Sequence, residues 1–263
     1  MIKEIFNTVL FVPLYNALVA LIDIAPYSSV ALAVVALTIV VKLILFPLSI
    51  SSVRTQLKMK IIQKPLKDIQ KKYKDNREEL GRKMLELYRE NNINPFAGFF
   101  LILIQIPVIF ALYWVFARGG LPTINPDLLY SFIPFPEYAN MNIFGFINVG
   151  ESKSIFLAFL AAITQFFQAR FSFPKPEPRK KGEQSFQDDL MRGMSVQVKY
   201  VLPLIIFGIS YTLISVVALY WTVSNLFGIA QELYVRKHIR KDDDKGKDKS
   251  NDDKKELVEA VKV

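Results

Sequence analysis

Four stretches of this chain run for a membrane-crossing length, or close to it, with a single charged side chain among them. They are Ser28 to Ser52, Phe96 to Ala117, Ser154 to Ala169 and Tyr200 to Gln231. A bilayer core takes about 17 to 25 predominantly apolar residues of helix, and no backbone amide can be left unpaired inside it. The stretches therefore commit the chain to an all-α integral membrane fold. The last run, 32 uncharged residues between Lys199 and Glu232, is too long for one upright helix at ~1.5 Å per residue and short for two ordinary ones.

The placement of basic residues settles how often the chain crosses. Ser52 to Pro95 holds 12 Lys and Arg against 6 Asp and Glu, and Arg170 to Lys199 holds 7 against 4. The stretch from Arg236 onward holds 10 against 8. The Pro-rich loop after the second run has only Arg118 and Lys153. A tight pair of helices turning near Gly208 to Leu213 returns the last basic segment to the side of the others. The sequence thus predicts five transmembrane helices in a multi-pass protein of the cytoplasmic membrane, with the N-terminus outside and the C-terminus cytoplasmic.

Flanking segments complete this organisation. Residues 1–27 are apolar on most sides but carry Lys3, Glu4, Asp23 and Pro13, and read as an interfacial amphipathic helix against the outer leaflet. Residues 28–236 form the five-span core, with the first span from Ser29 to Ile50. Within it, 53–95 is a cytoplasmic antiparallel helical hairpin kinked at Pro65. Its apolar positions, Ile62, Leu66, Ile69 and Tyr73, then Leu80, Met84 and Leu87 or Tyr88, recur at helical spacing. Asp75 and Asn76 sit between the two series as a turn. A second cytoplasmic loop covers 170–199, and 237–263 is a charged tail whose composition predicts disorder.

Lys42 is the one charge inside a span, and a central lysine costs roughly 2.5 to 3.5 kcal/mol on insertion scales. It lies eight residues from Ile50, and Gln105 lies nine from Phe96, which places both about 12 to 14 Å inside the cytoplasmic boundary. Thr164 and Gln165 of the third span lie shallower, and Ser224 and Asn225 of the fifth lie at comparable depth. These six residues define a hydrophilic groove open to the cytoplasm and closed outward. Such a groove would take the polar flank of a hydrophobic chain arriving from the cytoplasm. The alternative is that Lys42 snorkels to the headgroups while the amides and hydroxyls join helices. The Tyr113-Trp114 and Tyr220-Trp221 pairs read as aromatic belts.

Catalytic classes find little support. There is no cysteine, His238 is the only histidine, and it lies in the charged tail. Thiolate, zinc and histidine-triad chemistry therefore have no residues to build on, and neither a metal nor another cofactor is expected. A small solute or anion transporter using Lys42 is the competing class. Against it, no inverted repeat is visible, and the outer halves of the first three spans are almost entirely apolar.

The chain resembles the YidC-type membrane protein insertases, with their mitochondrial oxidase-assembly and chloroplast Albino relatives. The resemblance rests on Lys58-Met59 with Gln63, Met84 to Arg89, Asn94-Pro95, Gln105-Ile106-Pro107 and Ala111-Leu112-Tyr113. Leu219-Tyr220-Trp221, Ser224-Asn225 and Gln231 extend it to the last span, so that it covers roughly residues 10 to 236. It implies a five-span insertase with an inner-leaflet groove, in which Lys42, five residues before Pro47, stands where the family carries an arginine. Arginine holds partners in a planar fork, whereas lysine is a compact point charge. Three further departures are Pro65 two places after Gln63, Ser215 to Ala218 in place of a Pro-Ala-Gly-like element, and no large periplasmic domain or lipobox cysteine.

The implied activity moves hydrophobic segments of nascent proteins from the cytoplasm into the bilayer, without nucleotide or metal. Leu57, Met59, Ile61, Tyr73 and Tyr88 of the hairpin would recruit substrate. The implied partners are nascent membrane proteins and lipid, with the ribosome, signal recognition particle machinery and Sec translocon beside them, and no DNA.

Overall fold

The computed structural model describes residues 2–94, 97–136, 138–143, 145, 147–172, 193 and 196–260, with backbone alone at 2, 56, 57, 60, 97–102 and 238–260. Most of the second cytoplasmic loop, 170–199, and the side chain of Leu57 lie outside the described residues. The chain divides into two compact units: Met1–Leu48 with Phe99–Ile229, and Ser49–Gly98 with Ala230–Val263.

The first unit opens with α1 (Ile2–Phe6), a π turn and α2 (Val12–Ile24), and α2 packs on α3 (Val30–Ile44). Ser29 caps α3 by accepting the Leu32 amide at 3.4 Å. The first predicted span, Ser29 to Ile50, is not one rod. It breaks at Leu45, and α4 (Phe46–Ile61) begins there. Pro47 is the cause: in a continuous helix its ring would strike the Leu43 carbonyl, and it has no N–H to donate, whereas both defects are harmless in a first turn.

The unit continues with α7 (Ala97–Arg118), α8 (Ile155–Ser172), α9 (Leu202–Thr212) and the start of α10 (Ser215–Ala260). The long uncharged run is divided at Leu213 and Ile214, at the end of the predicted turn region. By length and composition, Lys3–Ile24 and α8 are each able to cross a membrane, and the bent α3–α4 pair is a third candidate among the described residues. α9 packs along α8, where Leu157, Ala161, Ile206 and Ala218 form a small core.

Residues 119–154 close one end of this unit. They carry a two-stranded antiparallel sheet, β1 (Asn142–Ile143) and β2 (Ile147–Asn148), in the register Asn142 to Asn148. Helix starts leave unpaired N–H groups, and the loop supplies carbonyls for three of them, at the starts of α3 and α10. Val30 donates to Asn140 O at 3.0 Å, Ser215 to Glu151 O at 2.8 Å and Val216 to Val149 O at 2.9 Å. Tyr15, Val30, Val149 and Val216 are fully buried at this end.

A polar pair on α2 fixes the first part of the loop. The Tyr15 hydroxyl donates to Gly119 O at 3.0 Å and accepts from the Asn125 amide at 2.8 Å. The Asn16 amide donates to Val12 O and Leu128 O, both at 2.8 Å, and its carbonyl accepts from the Tyr130 amide at 2.7 Å. Gly119 is required here, since a Cβ would lie 2.1 Å from Val115 O and 2.7 Å from the Tyr15 ring.

In the second unit α5 (Gln63–Lys72) and α6 (Arg77–Glu90) pack on each other across the turn at Tyr73 to Asn76. The break from α4 falls at Ile62 rather than as a kink at Pro65. In an unbroken helix the Pro65 ring would meet the Ile61 carbonyl, so α4 ends there and Pro65 enters the first turn of α5. Asn76 caps α6 by accepting the Glu79 amide at 3.1 Å.

At the other end, Asn92 adopts φ +51°. The Ile93 amide donates to Tyr88 O at 2.8 Å and the Asn92 amide to Arg89 O at 3.0 Å, a Schellman closure. Asn76→Ala removes the N-cap and costs about 1 kcal/mol. Hydrogen exchange at the Glu79 amide should rise roughly fivefold for that loss, while exchange in α8 stays unchanged.

The backbone of α10 stays helical to Ala260.

Candidate functional site

Helix α10 organises the polar residues of the first unit. At 100° per residue, Tyr220 and Ser224 share one of its faces, and Asn225 lies about 100° round the barrel from Ser224. All three are buried. Lys42 Nζ on α3 donates to Gln105 Oε1 on α7 at 3.3 Å. The Gln105 amide in turn donates to the Tyr220 hydroxyl, which also meets the Ser224 side chain one turn along. Three helices are thus joined through one amide.

Asn225 faces α8 instead. Its amide donates to Thr164 Oγ1 at 3.2 Å and reaches Ala161 O at 3.4 Å. Thr164 bonds back to Leu160 O and Ala161 O at 2.9 and 3.0 Å. Next to this contact Gly228 lets the Gln168 amide approach; an added Cβ would stand 2.7 Å from its nitrogen.

Five of the six predicted groove residues therefore fall into two hydrogen-bonded sets that meet on α10. Lys42, Gln105 and Ser224 belong to one, and Thr164 and Asn225 to the other. Among the described residues no hydrogen bond ties Gln165 to either set, although it is half-buried on α8. The break at Leu45 means that counting residues back to Ile50 no longer measures a depth along one axis. What associates Lys42 with Gln105 is their direct bond.

Tyr220 corrects the belt assignment. It is 1% exposed and lies inside the polar network. Its i, i+4 spacing to Ser224 was the available signal. Tyr113 and Trp114 remain half-buried in edge-to-face contact, with the Arg118 guanidinium 3.6 Å from the Trp114 ring centre.

The electrostatics are one-sided. Among the described residues Lys42 has no carboxylate partner, and its ammonium donates to one neutral amide. Two of its three N–H donors are left for another acceptor. The hydroxyls of Thr38, Thr164 and Thr222 are satisfied by carbonyls of their own helices, so they add polarity without demanding a ligand. No group of three or more metal-ligating side chains occurs among the described residues. The site offers one cation and an amide in an apolar surround, with no nucleophile and base pair.

The hairpin residues sit in the second unit. Ile61 is 72% exposed, Met59, Tyr73 and Tyr88 are half-buried, and burial raises the Tyr88 hydroxyl above its ordinary pKa. Lys72 lies 5.4 Å from the Tyr73 ring centre. From Gln63 to Lys74 there are five lysines against Asp68 alone, whereas α6 carries four basic and four acidic residues. Lys64, Lys67, Lys71 and Lys74 follow one face of the chain, away from the apolar stripe of Leu66, Ile69 and Tyr73.

The family model described as 60Kd inner membrane protein matches residues 21–243. The chain belongs to that family. The match runs from α2 past Asn225 of α10 and so contains both hydrogen-bonded sets. A protein named membrane protein insertase YidC from Francisella tularensis subsp. novicida (strain U112) is 31% identical over 210 residues, covering 80% of this chain and 33% of that protein. Those from Francisella tularensis subsp. tularensis (strain SCHU S4 / Schu 4) and subsp. holarctica (strain LVS) match to the same extent. The chain spans about a third of the length of these curated relatives. Membership of a family of inner membrane proteins agrees with the apolar helices, and it places Lys42, Gln105 and Tyr220 within the part that the family shares.

Proposed function

We propose that this chain is a membrane protein insertase, one that moves hydrophobic segments of nascent proteins from the cytoplasm into the bilayer. The observation that carries the reading is the Lys42–Gln105–Tyr220 network, a cation and amide held inside an apolar bundle whose loop end is packed shut. A short polar or acidic flank of the substrate would lodge against the free donors of Lys42. Its apolar segment would move into lipid, and burial of that segment supplies the driving force. The site lowers the barrier for the flank, since buried polar groups are costly only when unpaired. The relatives named as insertases support this reading.

In this reading five spans are formed by α3, α7, α8, α9 and α10, and the α5–α6 hairpin and the C-terminus are cytoplasmic. The distribution of Lys and Arg supports that orientation. The basic face of α5 and the exposed Ile61 suit capture of a nascent chain beside an anionic partner, for which the ribosome, the signal recognition particle machinery and the Sec translocon are candidates.

Reconstitution in liposomes tests the function. Purified protein should insert a model single-span substrate with an acidic flank and should not increase flux of small anions; anion flux without insertion would make it a transporter. A photocrosslinker at Gln105 should capture the flank of a stalled nascent chain, and one at Ile209, on the exposed side of α9, should not.

A further inference from the structure

An apolar cleft lies on the far side of α7 from the network. It is lined by Lys3 and Phe6 of the N-terminal helix and by Ile106, Pro107, Phe110 and Trp114 of α7. On α7 these positions form a stripe centred about 160° from Gln105, at 100° per residue, so the cleft is separate from the polar site. Ile106 and Phe110 are about half exposed. Arg118, one turn beyond Trp114, stacks on the Trp114 ring at 3.6 Å.

We propose that this cleft is a binding site for one anionic phospholipid, with an acyl chain along Phe6, Ile106 and Phe110 and the headgroup phosphate on Arg118. Two features select that occupant. Arg118, which borders the cleft, is exposed and has no carboxylate partner among the described residues. A guanidinium held flat on an indole keeps its edge donors directed outward, and such a fork matches phosphate oxygens. Arg118 lies twelve residues from Ile106, about 18 Å along the helix. That is on the scale of one leaflet of a ~30 Å hydrocarbon core. A peptide would leave its backbone groups unpaired in such an apolar slot, and an acyl chain has none.

Thermal unfolding of the purified full chain in detergent, with added phosphatidylglycerol or phosphatidylcholine, tests the site. Ligand that binds the folded state alone raises the melting temperature. Phosphatidylglycerol should raise it by several degrees more than phosphatidylcholine, and soluble glycerol phosphate should give no shift. Arg118→Gln should remove most of the difference. Lys153→Gln, a basic residue outside the cleft, should leave it intact. Ile106→Trp, which fills the slot, should reduce the response to both lipids. Native mass spectrometry should show a retained phosphatidylglycerol lost in Arg118→Gln, and this count reads the site even if that variant melts lower. Equal shifts from the two lipids, or an unchanged lipid count in Arg118→Gln and Ile106→Trp, would overturn the proposal. A shift from glycerol phosphate alone would mean a phosphate site rather than a lipid site, and would overturn it too.

Discussion

Lys42→Leu should slow insertion of a segment led by an acidic flank by roughly 10- to 100-fold, while Lys42→Arg should retain it. The bond from Lys42 Nζ to Gln105 Oε1 is a charged donor on a neutral acceptor, a class worth about 1.5 to 3 kcal/mol. The same donor class toward the incoming carboxylate is what the flank would gain. Losing it raises the barrier by a similar amount, roughly 10- to 100-fold in insertion rate. Folding is not endangered by the change, because leucine removes an ammonium that itself costs a few kcal/mol in a span. Arginine keeps the charge and can still reach Gln105 with one arm of its fork.

A substrate with a neutral flank should lose much less in Lys42→Leu, so the ratio between the two substrates is the measurement that isolates charge. Equal insertion by Lys42→Leu and wild type on both substrates would return Lys42 to a snorkelling role. Gln105→Leu should fall between them, since it leaves the cation in place but removes the tie to Tyr220.

The division between what was and was not legible in the residues follows the range of the interactions. Lys42 and Gln105 could be associated from sequence because a charge and an amide in apolar runs have few ways to be satisfied except by each other. The split of the last run was legible for the same reason: 32 uncharged residues do not suit one crossing. The break at Leu45 was also written locally, in Pro47, but the uninterrupted hydropathy of Ser29 to Ile50 hides it. Tyr220 was misplaced because an aromatic pair in a span suggests an interface, and its burial depends on α3 and α7 closing over α10.

The contacts of Tyr15 and Asn16 had no sequence signal at all. Their partners are main-chain groups 104 to 114 residues away, and a backbone carbonyl carries no residue-type signature. In a helix that is apolar on most sides they look like two tolerated polar residues. They nevertheless hold both ends of the segment from Gly119 to Tyr130, just beyond the helix that carries Gln105.

Asn16→Leu should therefore be the most damaging single change to stability outside the polar site. Asn16 is 2% exposed, and replacing it strands the Leu128 carbonyl and the Tyr130 amide. Both bonds are only partly buried, so each group left without its partner costs about 1 kcal/mol. The sum lowers the melting temperature by roughly 4 to 8 °C for a chain of this size. Tyr15→Phe keeps the ring and its packing but loses the bonds to Gly119 and Asn125, so a smaller drop is expected. The double variant should lose less than the sum, because both residues restrain one loop and neighbours of this kind are coupled. Thr38→Val is the control. Its hydroxyl bonds only within its own helix, to Val34 O, so melting should change little. If Asn16→Leu melts with Thr38→Val, the loop is held by its backbone bonds to Val30, Ser215 and Val216 alone, and the α2 pair contributes nothing to closing that end of the bundle.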